Sequence, residues 1–154
     1  MIRKINNNQL ELTEALQLVW RTFLEFEASE YSAEGVQEFK EFIALANISE
    51  KLENEDLVIW GYYEKEELVG VIAVREANHI SLLFVEKEHH HKGIARALYA
   101  TAVDYCFKQH HNKRITVNSS PYAVEVYKRL GFSAVGNEET VNGIRFTSMA
   151  HFLS

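Results

Sequence analysis

A loop that joins an apolar run to a helical pattern is the part of this sequence best suited to bind an anion. The run His79–Val85 is almost continuously apolar, and Gly93 begins a stretch with helical spacing. The free N–H groups and the positive dipole end of a helix N-terminus stabilise a phosphate. Lys92 and Arg96 add positive charge, and glycine lets a ligand approach the backbone closely. The pattern therefore predicts a pyrophosphate site over His90–Arg96.

The loop contains neither of the common phosphate-binding glycine motifs. The pattern G-x-x-x-x-G-K-[ST] is absent, and so is G-x-G-x-x-G. A P-loop and a dinucleotide-binding turn are therefore excluded as the source of this site. A purely structural glycine at a strand–helix junction stays open as the alternative.

The histidines and the single cysteine suggest other chemistry, but their positions do not favour it. His89–His91 are consecutive, so their side chains do not readily converge on one metal ion. His110 and His111 follow a helical pattern, where positive charge suits the helix dipole. Cys106 lies on an apolar stripe and is expected to be a core residue. We expect no metal site and no cysteine nucleophile.

Composition limits the class of protein. The chain has 154 residues, 47% of them hydrophobic, which suits one domain with a proper core, over residues 1–154. One cysteine excludes an internal disulfide framework. The sequence has no apolar run of transmembrane length and no signal-peptide pattern. We therefore expect a cytoplasmic protein that does not insert into a membrane.

The net charge of −6 is unevenly distributed along the chain. Residues 1–60 contain five Lys/Arg and twelve Asp/Glu, so the whole acidic excess lies there. A solvated acidic surface and a wall that attracts a cationic substrate both explain it. Nucleic acid is not expected as a partner, because it requires a basic stripe that this sequence lacks.

The periodicity predicts an α+β fold without internal repeats. Helical spacing alternates with β-rich runs in the order β-α-α-β-β-β-α-β-α-β-β. Ser32 is expected to cap a second helix whose apolar stripe continues to Ala46. Asn142 and Gly143 predict a two-residue hairpin turn near the C-terminus. The predicted elements are Met1–Asn6, Leu10–Glu27, Ser32–Ala46, Asp56–Tyr63, Leu68–Arg75, His79–Val85, Gly93–Phe107, Arg114–Asn118, Pro121–Leu130, Phe132–Val135 and Ile144–Met149.

Two separate motifs resemble the signatures of one family. The segment His90–Ala95 (HHKGIA) is similar to [Gln/Arg]-x-x-Gly-x-[Gly/Ala] of the GCN5-related N-acetyltransferase (GNAT) superfamily. The segment Ala123–Phe132 (AVEVYKRLGF) resembles that superfamily's A-x-x-[aromatic/aliphatic]-Y-x-x-x-G-F helix. The order of elements is similar over nearly the whole chain. The resemblance implies an α/β/α-layered GNAT fold, with a mixed, mostly antiparallel sheet whose fourth and fifth strands splay apart.

The resemblance also implies acetyl-coenzyme A as the cofactor. Leu83 and Val85 would pair with its pantetheine through their backbone. Ser120 stands where many members carry an Asn that contacts pantetheine, and Asn118 is the neighbouring alternative. The residues implied to hold the pyrophosphate are His90, His91, Lys92, Gly93, Ile94, Ala95 and Arg96.

Acyl transfer to an amine requires an acid for the leaving thiolate and a base for the amine. The resemblance places the hydroxyl of Tyr127 near the coenzyme A sulfur, as the acid. His79 is the candidate base, since its unperturbed pKa suits the task. Glu86, Glu88 and a chain of water molecules are the alternatives. His90 replaces the usual Gln or Arg, which implies cofactor binding that depends on pH.

The expected activity is direct acetyl transfer to an amine of a small molecule or peptide, with a cationic acceptor as one possibility. A non-catalytic acyl-coenzyme A sensor, a transferase of another acyl group and a module for a different phosphate ligand are the alternatives. A homodimer is left open. The expected lining of the acceptor site is Trp20, Phe23, Phe26, Tyr31, Phe39, Tyr62 and Arg145.

Overall fold

The computed structural model describes residues 1–153 of the chain. Its five α-helices are α1 (Gln9–Phe26), α2 (Ala33–Phe42), α3 (Leu45–Glu53), α4 (Ile94–Val103) and α5 (Val124–Leu130). Its eight strands are β1 (Ile2–Ile5), β2 (Leu57–Glu64), β3 (Glu67–Arg75), β4 (His79–Val85), β5 (Arg114–Ser119), β6 (Ser133–Ala134), β7 (Glu139–Val141) and β8 (Ile144–Phe152). A π-helical turn, Asp104–Gln109, extends α4.

The strands form one mixed sheet in the order β1-β2-β3-β4-β5-β8-β6, and β7 pairs with β8. Every pairing is antiparallel except that between β4 and β5. This parallel pairing covers only His79↔Thr116 and Ile80↔Val117, so the two strands diverge toward the end of β4. The predicted splay of the fourth and fifth strands is confirmed.

Helices cover both faces of the sheet and give the predicted α/β/α layers. One buried cluster joins α1 and α3 to the sheet, and the other joins α4 and α5 to it. In β3, Val71 and Ala73 face the first cluster, while Ile72 and Val74 face the second. Between its exposed ends, Glu67 and Arg75, this strand is apolar because both of its faces are buried.

The second predicted helix is wrong in its extent. It ends at Phe42, and a separate helix, α3, begins at Leu45, so Ala46 lies outside α2. Ala44 adopts an extended conformation, and the side chain of Asn47 donates to Phe42 O at 2.7 Å. This hydrogen bond satisfies a carbonyl at the end of α2. The apolar spacing continues across the break between the two helices, so the sequence pattern does not reveal the break.

The C-terminal region has one more strand than predicted. The Asn142–Gly143 turn is present, with φ of 52° and 81°, but it joins β7 to β8. The predicted strand Phe132–Val135 is reduced to two residues, β6. The charged and polar residues of β7 are exposed, so alternating burial does not mark that strand in the sequence.

The hairpin turn packs tightly against the start of α2. A Cβ on Gly143 would collide with the Ser32 hydroxyl and lie 2.5 Å from Gly35 N, in a backbone with φ of +81°. We expect Gly143→Ala to lower the free energy of unfolding by about 1–3 kcal/mol, measured by urea denaturation. Gly136→Ala, where a Cβ meets nothing within 4 Å, is the control. Equal stability of the two variants would contradict this packing.

Candidate active site

A cleft opens where β4 and β5 diverge. Its volume is about 510 Å³. Its walls come from the end of α1, the end of β4, the start of α4 and one face of α5. The predicted residues that line it are Leu83, Val85, His90, His91, Gly93, Ile94, Ala95, Arg96 and Tyr127.

The backbone of Leu83 and Val85 faces the open side of β4. On the other side, Glu86 N–H donates to Val69 O at 2.9 Å, in register with β3. Hydrogen-bonding direction alternates along an antiparallel strand, so Phe84 turns its backbone groups to β3. Leu83 and Val85 turn theirs toward the gap that β5 has left. An extended ligand in the cleft can therefore hydrogen-bond to this edge.

The start of α4 presents free N–H groups to the same cleft. The first hydrogen bond of the helix runs from Ala97 N–H to Gly93 O at 3.0 Å. The N–H groups of Ile94, Ala95 and Arg96 precede that ladder, and the cap residue Gly93 supplies no side chain. Gly93 has φ of +80°, and a Cβ there would meet nothing within 4 Å. The predicted anion site thus has the geometry of an open helix N-terminus.

His90 makes a contact that the sequence does not suggest. Its Nε2 lies 2.8 Å from Val85 O, and its ring centroid lies 5.0 Å from that of Phe26. A carbonyl oxygen only accepts, so Nε2 must carry the proton. In the neutral imidazole Nδ1 is then an acceptor, and it donates to a phosphate only when the ring is protonated.

Four predicted residues lie outside the cleft lining. Lys92 is an exposed loop residue. Asn118 is exposed and accepts from Ser148 Oγ at 3.3 Å. Ser120 is buried behind the cleft wall, where its Oγ accepts from Ala123 N–H at 3.2 Å.

His79 is the fourth of these residues, at the opposite end of β4 from the cleft. Its Nδ1 is 2.7 Å from Thr116 Oγ1, and six residues of strand, about 20 Å, separate it from Val85. Burial, and then the charge of Arg75, lower the pKa of His79 to about 4. The structure does not bring this imidazole to Tyr127. Of the alternative bases, Glu86 forms an ion pair with Arg21, and Glu88 is exposed.

Tyr127 lies in the wall of the cleft on α5, and its side chain is buried. Its ring packs edge-on against Phe132, with 5.5 Å between centroids. Burial raises the pKa of the Tyr127 phenol well above its usual value, and the nearby Glu27 and Tyr31 raise it further. The phenol therefore keeps its proton at neutral pH, as a proton donor must.

Glu27 is a titratable cleft residue that the sequence does not single out. It lies at the C-terminal cap of α1 and lines the same cleft as Tyr127. Burial raises the pKa of Glu27 to about 7, opposed by a hydrogen bond from Ser120 and assisted by the charge of Glu30. The carboxyl group therefore exchanges its proton near neutral pH. In the sequence, Glu27 is one acidic residue among twelve in the first 60.

Most of the residues expected to bind the acceptor are elsewhere. Only Phe26 lines the cleft, where it stacks on Tyr122 at 5.1 Å between centroids. Arg145 forms a two-point ion pair with Glu138, at 3.2 and 3.3 Å. Phe23 is fully buried in the core, and Trp20, Tyr31 and Phe39 pack against it. Tyr62 packs on the other face of the sheet.

The described part of the chain contains neither a metal-ligand cluster nor a membrane-spanning helix. Within residues 1–153, no His, Cys, Asp or Glu side chains form a group of three that could hold a metal ion. No helix in that range is long and apolar enough to cross a membrane.

Comparison with known proteins shows which fold and family this chain shares. No curated protein sequence matches the chain. Several solved structures do match it in fold. A GCN5-related N-acetyltransferase from Rhodopseudomonas palustris has a TM-score of 0.83 at 17% identity, over 99% of this chain and 95% of that one. The PaiA N-acetyltransferase from Thermoplasma acidophilum, solved with coenzyme A, has a TM-score of 0.79 at 18% identity, over 99% and 98%.

A third structure is an aminoglycoside 6'-N-acetyltransferase complexed with coenzyme A. It has a TM-score of 0.70 at 16% identity, over 99% of this chain and 96% of that one. Identities this low show a shared fold. The family is shown by a sequence model, described as an acetyltransferase (GNAT) domain, that matches residues 27–153. The chain therefore belongs to the GNAT acetyltransferase family.

Proposed function

We propose that this protein is an N-acetyltransferase that moves the acetyl group of acetyl-coenzyme A directly to an amine. The observation that carries the proposal is the convergence of three features in one cleft. They are the open N-terminus of α4, the free backbone edge of β4, and the buried phenol of Tyr127. We also propose one acetyltransferase domain over residues 1–154, acting in the cytoplasm.

The residues present suit an acyl-coenzyme A donor. The N–H groups of Ile94, Ala95 and Arg96 would hold its pyrophosphate, with the guanidinium of Arg96 beside them. The backbone of Leu83 and the N–H of Val85 face the gap and suit the amide groups of pantetheine, while Val85 O already accepts from His90. The donor supplies a thioester, whose carbonyl carbon accepts a nucleophile.

The residues of this chain have separate roles in the transfer. The Val85 N–H would polarise the acetyl carbonyl, a role supported by its backbone direction toward the gap between the strands. Tyr127 gives its proton to sulfur as the C–S bond breaks. Burial raises the pKa of the phenol, so Tyr127 holds its proton before the thiolate forms.

A panel of amines with acetyl-coenzyme A tests the proposal. Spermidine, kanamycin, phenethylamine, phenylalanine and a short peptide would be assayed for thiol release and for acetylated product by mass spectrometry. We expect turnover of at least one amine well above the rate without acceptor. Propionyl- and succinyl-coenzyme A, compared in the same assay, test the acyl group. Coenzyme A binding without turnover of any amine would favour the non-catalytic sensor instead.

A further inference from the structure

We propose that Glu27 is the general base of this acetyltransferase and binds the amine of a cationic acceptor. The inference rests on the proposed function and adds a catalytic residue and a substrate class to it. Glu27, at the end of α1, and Tyr127, on α5, line the same cleft. An amine between them can lose a proton to one group while sulfur gains a proton from the other.

The surroundings of Glu27 hold its carboxyl group in place. The backbone N–H of Glu27 donates to Phe23 O at 2.9 Å and fixes the end of α1. Ser120 Oγ already accepts from Ala123 N–H, so its own proton is free to go to the Glu27 carboxylate. In the proposed site Ser120 would act as a positioning residue for Glu27.

The groups that face Glu27 are mostly acidic or neutral. Glu30 and Tyr31 come from the turn after α1, Ser120 and Tyr122 from the loop before α5, and Tyr127 from α5. The nearby Arg145 of β8 donates to Glu30 O at 3.5 Å, and Glu138 neutralises its charge by a two-point ion pair. Glu30 Oε1 accepts from Tyr122 N–H at 3.0 Å, which places a second carboxylate at this end of the cleft.

This charge distribution selects the acceptor. The start of α4, with Arg96, offers positive potential for an anionic donor, while Glu27 in the cleft wall and Glu30 beside Tyr122 offer negative potential. A carboxylate on the acceptor would be repelled by the carboxylates of Glu27 and Glu30. An organic cation, whose ammonium group gives up one proton to solvent on binding, suits the site.

The proton balance closes without another reactant. The amine nitrogen forms a bond to the acetyl carbon and passes one proton to the Glu27 carboxylate. The C–S bond breaks with its electron pair on sulfur, which takes the proton of Tyr127. The Glu27 carboxylic acid then returns a proton to the Tyr127 phenolate. An amine and a thioester have become an amide and a thiol, and both side chains are restored.

The direct test is Glu27→Gln, assayed with whichever amine of the panel the wild type turns over fastest. We expect kcat/KM for the amine to fall by about 10²- to 10³-fold, with the Kd of acetyl-coenzyme A unchanged. In the wild type, activity should rise with pH, with a midpoint at about 7. The midpoint of this pH limb should be the same for amines of different pKa. The limb should be lost in Glu27→Gln and kept, at reduced rate, in Glu27→Asp.

A stability measurement excludes misfolding as the cause. Burial raises the pKa of Glu27 from 4.5 in the unfolded chain to about 7 in the folded one. The free energy of unfolding therefore falls as the pH rises from about 4.5 to about 7, and the whole loss is present above pH 7. At about pH 8, Glu27→Gln should therefore melt at a higher temperature than the wild type. The difference between the two melting temperatures should be smaller at about pH 5. Glu38→Gln, an exposed residue of α2, is the matched control and should change neither activity nor this difference.

The acceptor class is tested with phenethylamine and phenylalanine, which differ by one carboxylate. We expect kcat/KM at least about tenfold higher for phenethylamine. If the wild type turns over an amine and Glu27→Gln keeps the same rate and the same rise of activity with pH, the role of Glu27 is overturned. The proposed acetyltransferase activity would still hold. A preference for phenylalanine would overturn the acceptor class. Failure of the wild type on every amine would overturn the proposed function, and the inference with it.

Discussion

Tyr127→Phe is expected to lower kcat by about 10²-fold or more while leaving the Kd of acetyl-coenzyme A unchanged. The substitution removes the proton that the leaving thiolate needs and keeps the ring that packs on Phe132. Because the ring stays, the melting temperature should change little. Stopped-flow or steady-state thiol detection gives kcat, and calorimetric titration gives the Kd.

The matched control is Tyr105→Phe, which removes a hydroxyl on the extension of α4, outside the cleft. Its kcat should equal that of the wild type. A Tyr127→Phe variant with wild-type kcat would refute the acid role of the phenol. A variant that lost coenzyme A affinity and kept kcat would instead assign Tyr127 to donor binding.

Gly93→Glu is expected to weaken acetyl-coenzyme A binding by about a hundredfold. It places a carboxylate where the N–H groups of Ile94 and Ala95 meet the donor's pyrophosphate. It also puts a Cβ on a residue with φ of +80°. Calorimetric titration at constant ionic strength measures the loss of affinity.

Gly93→Ala separates charge from backbone strain. A Cβ at this position meets nothing within 4 Å, so the alanine adds strain without a clash or a charge. We expect a small loss of stability, about 1 kcal/mol, and much less loss of affinity than with glutamate. Equal loss of affinity in both variants would show that the conformation of Gly93, and not the anion at the helix start, dominates.

Much of the fold could be predicted from the sequence, because its strongest signals are periodic. Strand β4 matches its predicted bounds, and α1 matches within a residue, since long apolar patterns leave little choice. The break between α2 and α3 could not be predicted from spacing. It depends on a hydrogen bond from Asn47 to a carbonyl five residues earlier, and no glycine or proline marks it.

The candidate site divides in the same way. Its donor side follows from one contiguous segment, His90–Arg96, whose glycine and helix start are local features. The proposed base does not follow from a local segment. The pKa of Glu27 is raised by burial in the folded chain and is opposed by Ser120, which is 93 positions away along the chain. His79 appears suitable from its residue type alone, yet the direction of β4 carries it away from Tyr127.

The acidic N-terminal region is now better defined. Of the twelve Asp/Glu in residues 1–60, Glu27 lines the cleft and Glu30 contacts the loop that borders it. Exposed positions such as Glu34, Glu38 and Glu41 remain solvated surface. The solvated-surface explanation applies to these exposed residues, and attraction of a cationic substrate stays a prediction for Glu27 and Glu30.

Acetyl transfer itself is the most direct measurement. Wild-type protein would be incubated with acetyl-coenzyme A labelled in its acetyl group, and with phenethylamine or spermidine. Mass spectrometry would then follow the label. We predict that the label appears on the amine nitrogen, and that Glu27→Gln and Tyr127→Phe both reduce its rate of appearance. Tight binding of acetyl-coenzyme A, with no labelled amine from any member of the panel, would contradict the proposed activity.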